Sequence, residues 1–182
     1  MELMEKTLAS QKVFDGRLLK VYRDEVELTN GDASIREFVH HPGGAAVVAL
    51  DADGNIYLER QFRYPYHKVV LEIPAGKLEP GEDPFDAIKR ELKEEIGAEA
   101  GRWDALGYIM PSVGYTDEMI YLFLARDLTF GERHLDRDEF LEPFKMPFDE
   151  ALAQAADGRL NDAKTLSALF RADRLMREET DG

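Results

Sequence analysis

Three glutamates fall within five residues of one another in the stretch 76–97, GKLEPGEDPFDAIKRELKEEIG: Glu91, Glu94 and Glu95. If this stretch is a helix, like charges at neighbouring positions repel and cost about 0.2–0.5 kcal/mol per pair. Converging carboxylates can hold hard divalent cations, because Mg²⁺ and Mn²⁺ prefer oxygen ligands and bind through a few carboxylates together with substrate phosphates. The alternative is a solvated charged face, which is what most charge runs on helices are.

The helix that would carry these acids has clear ends. Asp83 followed by Pro84 predicts the start, with the aspartate as N-cap and the proline at the first helical position. Gly97 predicts the end. Between them the apolar residues recur at helical spacing and form one stripe, made of Phe85, Ile88, Leu92 and Ile96.

Glu91 and Glu95 project about 40° apart along one border of that stripe, whereas Glu94 points farther out. The first two are therefore expected at the edge of the buried face, where water is partly excluded. Helix geometry by itself leaves both interpretations open, a cation-binding pair or a solvated face.

The other predicted elements are mostly short strands. They lie at residues 11–15, 18–28, 33–41, 45–50, 56–63, 69–76, 103–110, 118–128 and 141–147. Asn30-Gly31 predicts a hairpin turn, residues 131–140 a polar loop, and residues 148–158 and 162–179 two amphipathic helices. Strands interrupted by only a few helices favour an α+β fold, or a mixed-sheet α/β sandwich, over a regularly alternating parallel fold.

The composition of the chain limits its function. Its 182 residues, 44% hydrophobic and 33% charged, fit one globular domain or one domain with a modest appendage. The formal net charge is -14, from 37 acids against 23 lysines and arginines. This balance argues against binding a nucleic-acid backbone through a broad basic face. A site for an anionic substrate would have to recruit cations first.

Several other classes are disfavoured. Cysteine is absent, which excludes a disulfide scaffold and a cysteine-ligated zinc site. The four histidines do not have a metal-ligand spacing such as HExxH, so we expect structural or surface roles for them. No secretory leader is predicted at the start of the chain, and no stretch approaches the ~20 apolar residues of a membrane span. We therefore expect a cytoplasmic protein without a membrane partner.

The spacing within residues 76–98 adds information that helix geometry lacks. Gly76, five residues, Glu82, seven residues and then RELKEEIGA resemble the signature of the Nudix hydrolases, G-x5-E-x7-R-E-U-x-E-E-x-G-U, where U is bulky and apolar. Every fixed residue matches, and the one departure is the small Ala98 at the last U. Flanking segments look like those of bacterial ADP-ribose pyrophosphatases: EIPAGKLEPGE, RQFRYP (60–65), GYTDE (114–118), DRDEF (136–140) and DAKTL (162–166).

The resemblance implies a Nudix-type α/β/α sandwich with a mixed sheet, preceded by an N-terminal antiparallel β-sheet. It assigns residues 1–42 to the N-terminal strands, as an arm for dimerisation and substrate binding, and residues 43–182 to the Nudix hydrolase domain. In this subfamily such strands are exchanged across a two-fold axis, so that one subunit's arm completes the other's site. We therefore expect a homodimer, since a three-stranded sheet also needs something to pack against.

The implied reaction is Mg²⁺-dependent hydrolysis of the pyrophosphate bond of ADP-ribose or a related nucleoside diphosphate sugar, with Mn²⁺ as the alternative cation. Carried over by position, Glu91 and Glu95 are metal ligands and catalytic residues. The Ala75 backbone carbonyl is implied as a further ligand, and Glu94 as a weaker one. The other matched residues are implied to be structural: Gly76, Glu82, Arg90 and Gly97. Among them, Glu82 and Arg90 are implied to form an ion pair.

The resemblance places the general base in a downstream loop, HLDRDEF (134–140). Glu139 is the candidate, either as the base or as a ligand of a substrate-bound cation. Asp138 and Glu142 are the reserves. The usual sequence in this subfamily is DEDEF, so Arg137 replaces one acid and leaves fewer candidates.

Four residues are implied as substrate contacts. Arg36 and Arg63 fall where relatives place arginines that face the phosphates or the base, and planar guanidinium groups suit both. Glu72 is expected to contact a ribose hydroxyl or to support the loop before the helix, and Glu118 to contact the terminal sugar. Candidates for an aromatic residue that stacks on the base, unless they are core residues, are Phe14 and Tyr22.

Competing functions remain open at this point. Within the same chemistry, GDP-mannose or a broad set of nucleotide sugars could be the substrate instead of ADP-ribose. From another class, the chain could be a catalytically silent nucleotide-sugar-binding sensor, although a sensor has no need of the intact acids. A role on nucleic acid, such as decapping, is disfavoured by the negative charge.

Overall fold

The computed structural model describes residues 3–135 and 140–181 and divides into two compact units. The first unit comprises the chain up to Gly43 together with Met110–Met119. The second comprises Gly44–Ile109 and the chain from Ile120 onward. Each unit has its own β-sheet.

The first unit is built on a three-stranded antiparallel sheet in the order β1 (Lys6–Asp15), β2 (Lys20–Glu27) and β3 (Ala33–His40). All ten residues of β1 are exposed, and Val26 is the one buried residue of the three strands. Gly31 has a φ of 86°, the left-handed conformation that the predicted hairpin turn needs. The three predicted strands and the turn are confirmed, with a longer β1.

A distant segment joins the end of β3 in the same unit. The Val39 N–H donates to the Tyr115 carbonyl at 2.8 Å, and the Asp117 N–H donates to the Val39 carbonyl at 3.3 Å. The Asp117 carboxylate also contacts His40 Nδ1 at 2.6 Å and accepts from the His41 N–H at 2.8 Å. Local sequence patterns contain no signal for this pairing, because its partners are more than seventy residues apart.

The second unit contains a seven-stranded mixed sheet. Its strands are β4 (Gly44–Leu50), β5 (Asn55–Arg63), β6 (Lys68–Glu72), β7 (Ala75–Lys77), β8 (Ala98–Ile109), β9 (Ile120–Phe130) and β10 (Leu141–Pro147). The main order is β10-β5-β4-β9-β8, with β6 paired to β5 and β7 paired to β4. Strands β4 and β9 run parallel, and the other pairs are antiparallel.

In the described residues, three α-helices cover the two faces of this sheet: α1 (Pro84–Ile96), α2 (Phe148–Asp157) and α3 (Ala163–Asp181). Side chains of the buried strand β4 alternate between two apolar clusters. Val48 packs in the cluster that contains α2 and α3, and Val47 in the cluster that contains α1. A strand buried on both faces is typical of a sheet between helix layers. The predicted α/β/α sandwich with a mixed sheet is confirmed.

None of the helices in residues 3–135 and 140–181 combines the length and the apolar character that crossing a bilayer requires.

The predicted strand at residues 69–76 is two strands. Strand β6 ends at Glu72 and pairs with β5, whereas β7 begins at Ala75 and pairs with β4. The chain changes partner at Ile73 and Pro74, and a proline lacks the N–H that a ladder hydrogen bond needs. The prediction at residues 103–110 was too short, since β8 begins at Ala98, directly after the end of α1.

Candidate active site

Helix α1 begins and ends where the sequence predicts. The Asp83 side chain accepts a hydrogen bond from the Phe85 N–H at 2.8 Å. Gly97 has a φ of 68°, and its N–H closes the last turn of the helix. The apolar stripe between the two caps packs on the sheet and sets how the helix is rotated against it. Glu91 and Glu95 consequently lie on its inner side, 7% and 3% exposed.

Both buried carboxylates lie against the loop that precedes the helix. Glu95 Oε2 accepts a hydrogen bond from the Ala75 N–H at 3.0 Å. The Glu91 carboxylate covers Gly76 so closely that a Cβ built there would be 1.8 Å from Glu91 Oε1. Gly76 is therefore required for close approach, a recognised use of glycine. Four of the predicted site residues are thus adjacent in space.

Arg90 offsets the repulsion between the clustered acids. Its guanidinium donates to both carboxylate oxygens of Glu82 at 3.1 Å, to Glu91 Oε1 at 2.8 Å and to Glu94 Oε2 at 3.1 Å. The hydrogen bonds with Glu82, and then those with the two helix acids, raise the pKa of Arg90. The Glu82–Arg90 ion pair implied by the resemblance is present. It fastens the loop before the helix to the middle of the helix, since Glu82 also accepts from the Glu79 N–H.

The donors at this place fit a hard divalent cation. Two carboxylates, Glu91 and Glu95, and the backbone of Ala75 offer oxygen atoms within one small region, which suits Mg²⁺ or Mn²⁺ and does not suit a soft metal. Within the described residues, no three acidic or histidine side chains converge into a complete metal cluster. Mg²⁺ typically binds through one or two carboxylates and takes its remaining ligands from water and substrate phosphates. The metal roles of these residues stay predictions.

A second charged cluster lies directly upstream of the loop. Glu72, only 4% exposed, accepts two hydrogen bonds from Arg63, at 2.7 Å each, and one from Lys164. Burial raises the pKa of Glu72, but the Arg63 hydrogen bonds and the Lys164 charge outweigh it and lower this pKa to about 2. Of the two roles expected for Glu72, the geometry favours support of the loop. Substrate contact by Arg63 stays a prediction.

The predicted substrate contacts of the first unit have partners within that unit. Arg36 donates to both carboxylate oxygens of Glu5, and Glu118 lies 3.3 Å from His41 Nδ1. Tyr22 stacks on Phe38, with ring centroids 5.4 Å apart, whereas Phe14 is exposed. Their contacts with a substrate stay predictions.

The predicted general base, Glu139, lies outside the described residues, and so does the reserve Asp138. The other reserve, Glu142, is exposed on β10, and its carboxylate is 3.6 Å from the Arg60 guanidinium. The assignment of the base therefore stays a prediction.

Sequence reasoning included the segment DAKTL (162–166) in the resemblance but assigned no role to two polar residues in it, at the start of α3. Lys164 and Thr165 are 8% and 0% exposed. Thr165 Oγ1 accepts from the Ile73 N–H at 3.0 Å and donates to Asp162 Oδ2 at 2.6 Å. Apolar periodicity does not detect buried polar side chains. The available signal was the cap itself, because Asp162 precedes the helix and accepts from the Thr165 N–H.

Comparisons with known proteins define the class. The model of the NUDIX domain matches residues 40–169, and the model of the nucleoside diphosphate sugar hydrolase N-terminal domain matches residues 5–39. The chain belongs to the Nudix family and is a Nudix hydrolase. Members of this family generally use a divalent metal ion.

Particular relatives are similar over nearly the whole chain. An ADP-ribose pyrophosphatase of Bacillus subtilis (strain 168) is 42% identical over 92% of this chain and 91% of its own. A methanol dehydrogenase activator of Bacillus methanolicus is 42% identical over 91% and 90%. A GDP-mannose pyrophosphatase of Pectobacterium atrosepticum is 32% identical over 94% and 93%. The crystal structure of an ADP compounds hydrolase matches 98% of both chains with a TM-score of 0.86 and 25% identity.

The first prediction concerns the close approach of Glu91 to Gly76. Gly76→Ala forces the Glu91 carboxylate or the loop to move, which we expect to cost about 1–3 kcal/mol of stability and most of the hydrolytic rate. Gly131→Ala is the matched control, because a Cβ there meets nothing within 4 Å. Chemical denaturation and steady-state kinetics of both variants check this. Equal activity of the two variants would show that the packing of Glu91 on Gly76 is unimportant.

The second prediction concerns the low pKa of Glu72. A carboxyl whose folded pKa of about 2 lies below its ordinary value of 4.5 stabilises the fold above about pH 4.5 and loses this effect as the pH falls toward 2. Glu72→Gln should therefore lower the free energy of unfolding at neutral pH, by on the order of 3 kcal/mol. The difference from the native protein should shrink as the pH falls through this window. Urea denaturation at a series of pH values measures it, with the exposed Glu178→Gln as control. A difference that is independent of pH would contradict the assignment.

Proposed function

We propose that this chain hydrolyses the pyrophosphate bond of ADP-ribose or a closely related nucleoside diphosphate sugar with Mg²⁺, giving a nucleoside monophosphate and a sugar phosphate. Hydrolysis of nucleoside diphosphate sugars as a class follows from the family and from the names of the relatives. The identity of the sugar nucleotide and of the cation is the part proposed.

One observation carries the proposal. Two carboxylates, Glu91 and Glu95, are buried on α1 and face the backbone of Ala75 and Gly76. Buried carboxylates cost several kcal/mol each unless charges and hydrogen bonds compensate them. Divalent cations shared with a diphosphate supply such compensation, and the diphosphate in turn requires cations to approach a chain of net charge -14.

The bound cation would neutralise the pyrophosphate and lower the pKa of the attacking water. Glu91, Glu95 and the Ala75 carbonyl would hold it. Arg90 keeps Glu91 oriented through its hydrogen bond and holds Glu82, so that the loop keeps its place on the helix. Glu139 is proposed either as the residue that takes the proton from water or as a ligand of a substrate-bound cation.

ADP-ribose is preferred as the substrate for two reasons. The relative that is 42% identical over 92% of the chain is an ADP-ribose pyrophosphatase, and the matched crystal structure is an ADP compounds hydrolase. GDP-mannose is the second candidate, supported by a relative at 32% identity. A silent sensor is disfavoured, because it would not need the buried acids of α1.

We further propose that the protein is a homodimer that exchanges its N-terminal strands. Strand β1 is exposed along its whole length and carries Leu8, Val13 and Phe14, each about half exposed or more. Apolar surface on an exposed sheet is typical of an interaction surface, and a second copy of the same sheet offers a partner of the same character. A cytoplasmic location stays a prediction from the sequence.

The third prediction tests the catalytic assignment. Glu95→Gln keeps the shape of the side chain and removes its charge, so we expect kcat to fall by about 10²–10⁴-fold while the fold survives. Glu99→Gln, an exposed acid just beyond α1 that pairs with Lys93, should keep full activity. The assay follows release of phosphomonoester from ADP-ribose, GDP-mannose and other nucleotide sugars with Mg²⁺. Normal turnover by Glu95→Gln would rule out the ligand role. No turnover of any sugar nucleotide by the native chain would favour the sensor.

The fourth prediction concerns assembly. Sedimentation equilibrium should give twice the chain mass of 20.7 kDa. Leu8→Glu, which places a charge on the exposed face of β1, should shift the protein toward the monomer. A native protein that sediments as a monomer at micromolar concentration would remove the dimer from the account.

A further inference from the structure

The segment that runs from Glu72 at the end of β6 to Ala75 at the start of β7 has a hydrogen-bond partner at every residue. It leaves one strand partner at Glu72 and joins another at Ala75, so the regular strand pairing is interrupted between them. Buried backbone groups nevertheless need partners. Because Ala75 carries the carbonyl that would bind the cation, the partners of this short segment decide where that carbonyl lies.

The partners can be followed residue by residue. The Glu72 side chain binds Arg63 and Lys164. The Ile73 N–H donates to Thr165 Oγ1 at 3.0 Å. The Pro74 carbonyl accepts from a β4 N–H at 3.0 Å. The Ala75 N–H donates to Glu95 at 3.0 Å.

Two of these partners come from the start of α3 and one from α1. Helices α1 and α3 pack in different apolar clusters, on opposite faces of the sheet. The segment is therefore hydrogen-bonded from both faces of the sheet, by Glu95 on one face and by Lys164 and Thr165 on the other.

The start of α3 is itself fixed by Asp162. Its carboxylate accepts from Lys164 Nζ at 3.0 Å, from the Thr165 N–H at 3.0 Å and from the Thr165 hydroxyl at 2.6 Å. The hydroxyl proton is thereby committed to Asp162, which leaves the oxygen lone pairs facing the Ile73 N–H. Thr165, buried completely, has one hydrogen-bonding arrangement.

We propose that Thr165 and Lys164 are positioning residues for the cation-binding backbone: they act through Ile73 and Glu72 to hold the Ala75 carbonyl against the carboxylates of α1. Neither touches the substrate in this proposal, which rests on the proposed function for its kinetic readout only. Removing a group that hydrogen-bonds to a metal ligand and orients it typically lowers metal affinity or activity by about 10- to 100-fold.

Thr165 offers a matched pair of variants. Thr165→Val keeps the volume and removes the hydroxyl, whereas Thr165→Ser keeps the hydroxyl and removes a methyl group. If the hydroxyl only stabilised the fold, Thr165→Val would lower the free energy of unfolding, because the Ile73 N–H loses its acceptor, but it would leave Mn²⁺ affinity unchanged. A positioning role predicts that Thr165→Val lowers Mn²⁺ affinity and that Thr165→Ser keeps it close to the native value.

The experiment measures Mn²⁺ binding to the full chain by the loss of the free-ion electron paramagnetic resonance signal, together with Mg²⁺-dependent hydrolysis of ADP-ribose. For Thr165→Val we expect Mn²⁺ affinity to fall by about tenfold or more. The Mg²⁺ concentration for half-maximal activity should rise by a similar factor, while KM for ADP-ribose at saturating Mg²⁺ stays within about twofold. Thr165→Ser should stay within about threefold of the native protein. Hydrogen exchange at Ile73 should accelerate in the valine variant and not in the serine variant.

Lys164→Met is the second variant, in case the valine at position 165 fails to fold. It should lower Mn²⁺ affinity by about tenfold, with partial recovery in Lys164→Arg. Equal Mn²⁺ affinity in the native protein, Thr165→Val and Lys164→Met, or equal losses in the valine and serine variants, would overturn the proposal. If the native chain binds Mn²⁺ but hydrolyses no nucleotide sugar, the proposed function fails, and the positioning role is still decided by the Mn²⁺ measurements. A native chain that binds no Mn²⁺ overturns both.

Discussion

The burial of two negative charges on one helix is the constraint on which the rest of the structure depends. Glu91 and Glu95 are almost inaccessible to water, and a carboxylate taken out of water costs several kcal/mol unless it is compensated. The neighbouring groups supply this compensation. Arg90 donates to Glu91, the Ala75 N–H donates to Glu95, and in the proposed function a divalent cation shared with a diphosphate would contribute as well. The proposed cation site accounts for the crowding of acids in the sequence.

The same constraint explains why the loop before the helix is so firmly held. A cation shared by two carboxylates and a carbonyl requires these oxygens at fixed positions, because Mg²⁺ demands near-ideal octahedral geometry. Glu82 and Arg90 fasten the loop to the helix on one side of Gly76. On the other side, the segment that begins at Glu72 is fastened to α1 and α3. Because Gly76 has no Cβ, the Glu91 carboxylate can lie directly against the backbone at this residue.

Much of this could be predicted from local sequence. The caps at Asp83 and Gly97 and the apolar stripe between them define α1, because capping and periodicity act over a few residues. The resemblance to the Nudix signature implied the Glu82–Arg90 pair. Local patterns could not predict the change of strand partner at Pro74, since it depends on which strand lies alongside. They also could not predict that Lys164 and Thr165 reach back to Glu72 and Ile73, a contact across more than ninety residues. Arg36 shows the same limit, because its partner Glu5 lies 31 residues earlier in the sequence.

The most direct test of the account is the position of the cation. Anomalous scattering from crystals soaked in Mn²⁺ would locate it without reference to activity. The account predicts a peak about 2.1 Å from carboxylate oxygens of both Glu91 and Glu95 and from the Ala75 carbonyl. A cation bound elsewhere, with Glu91 still on Arg90 and Glu95 still on the Ala75 N–H, would contradict it.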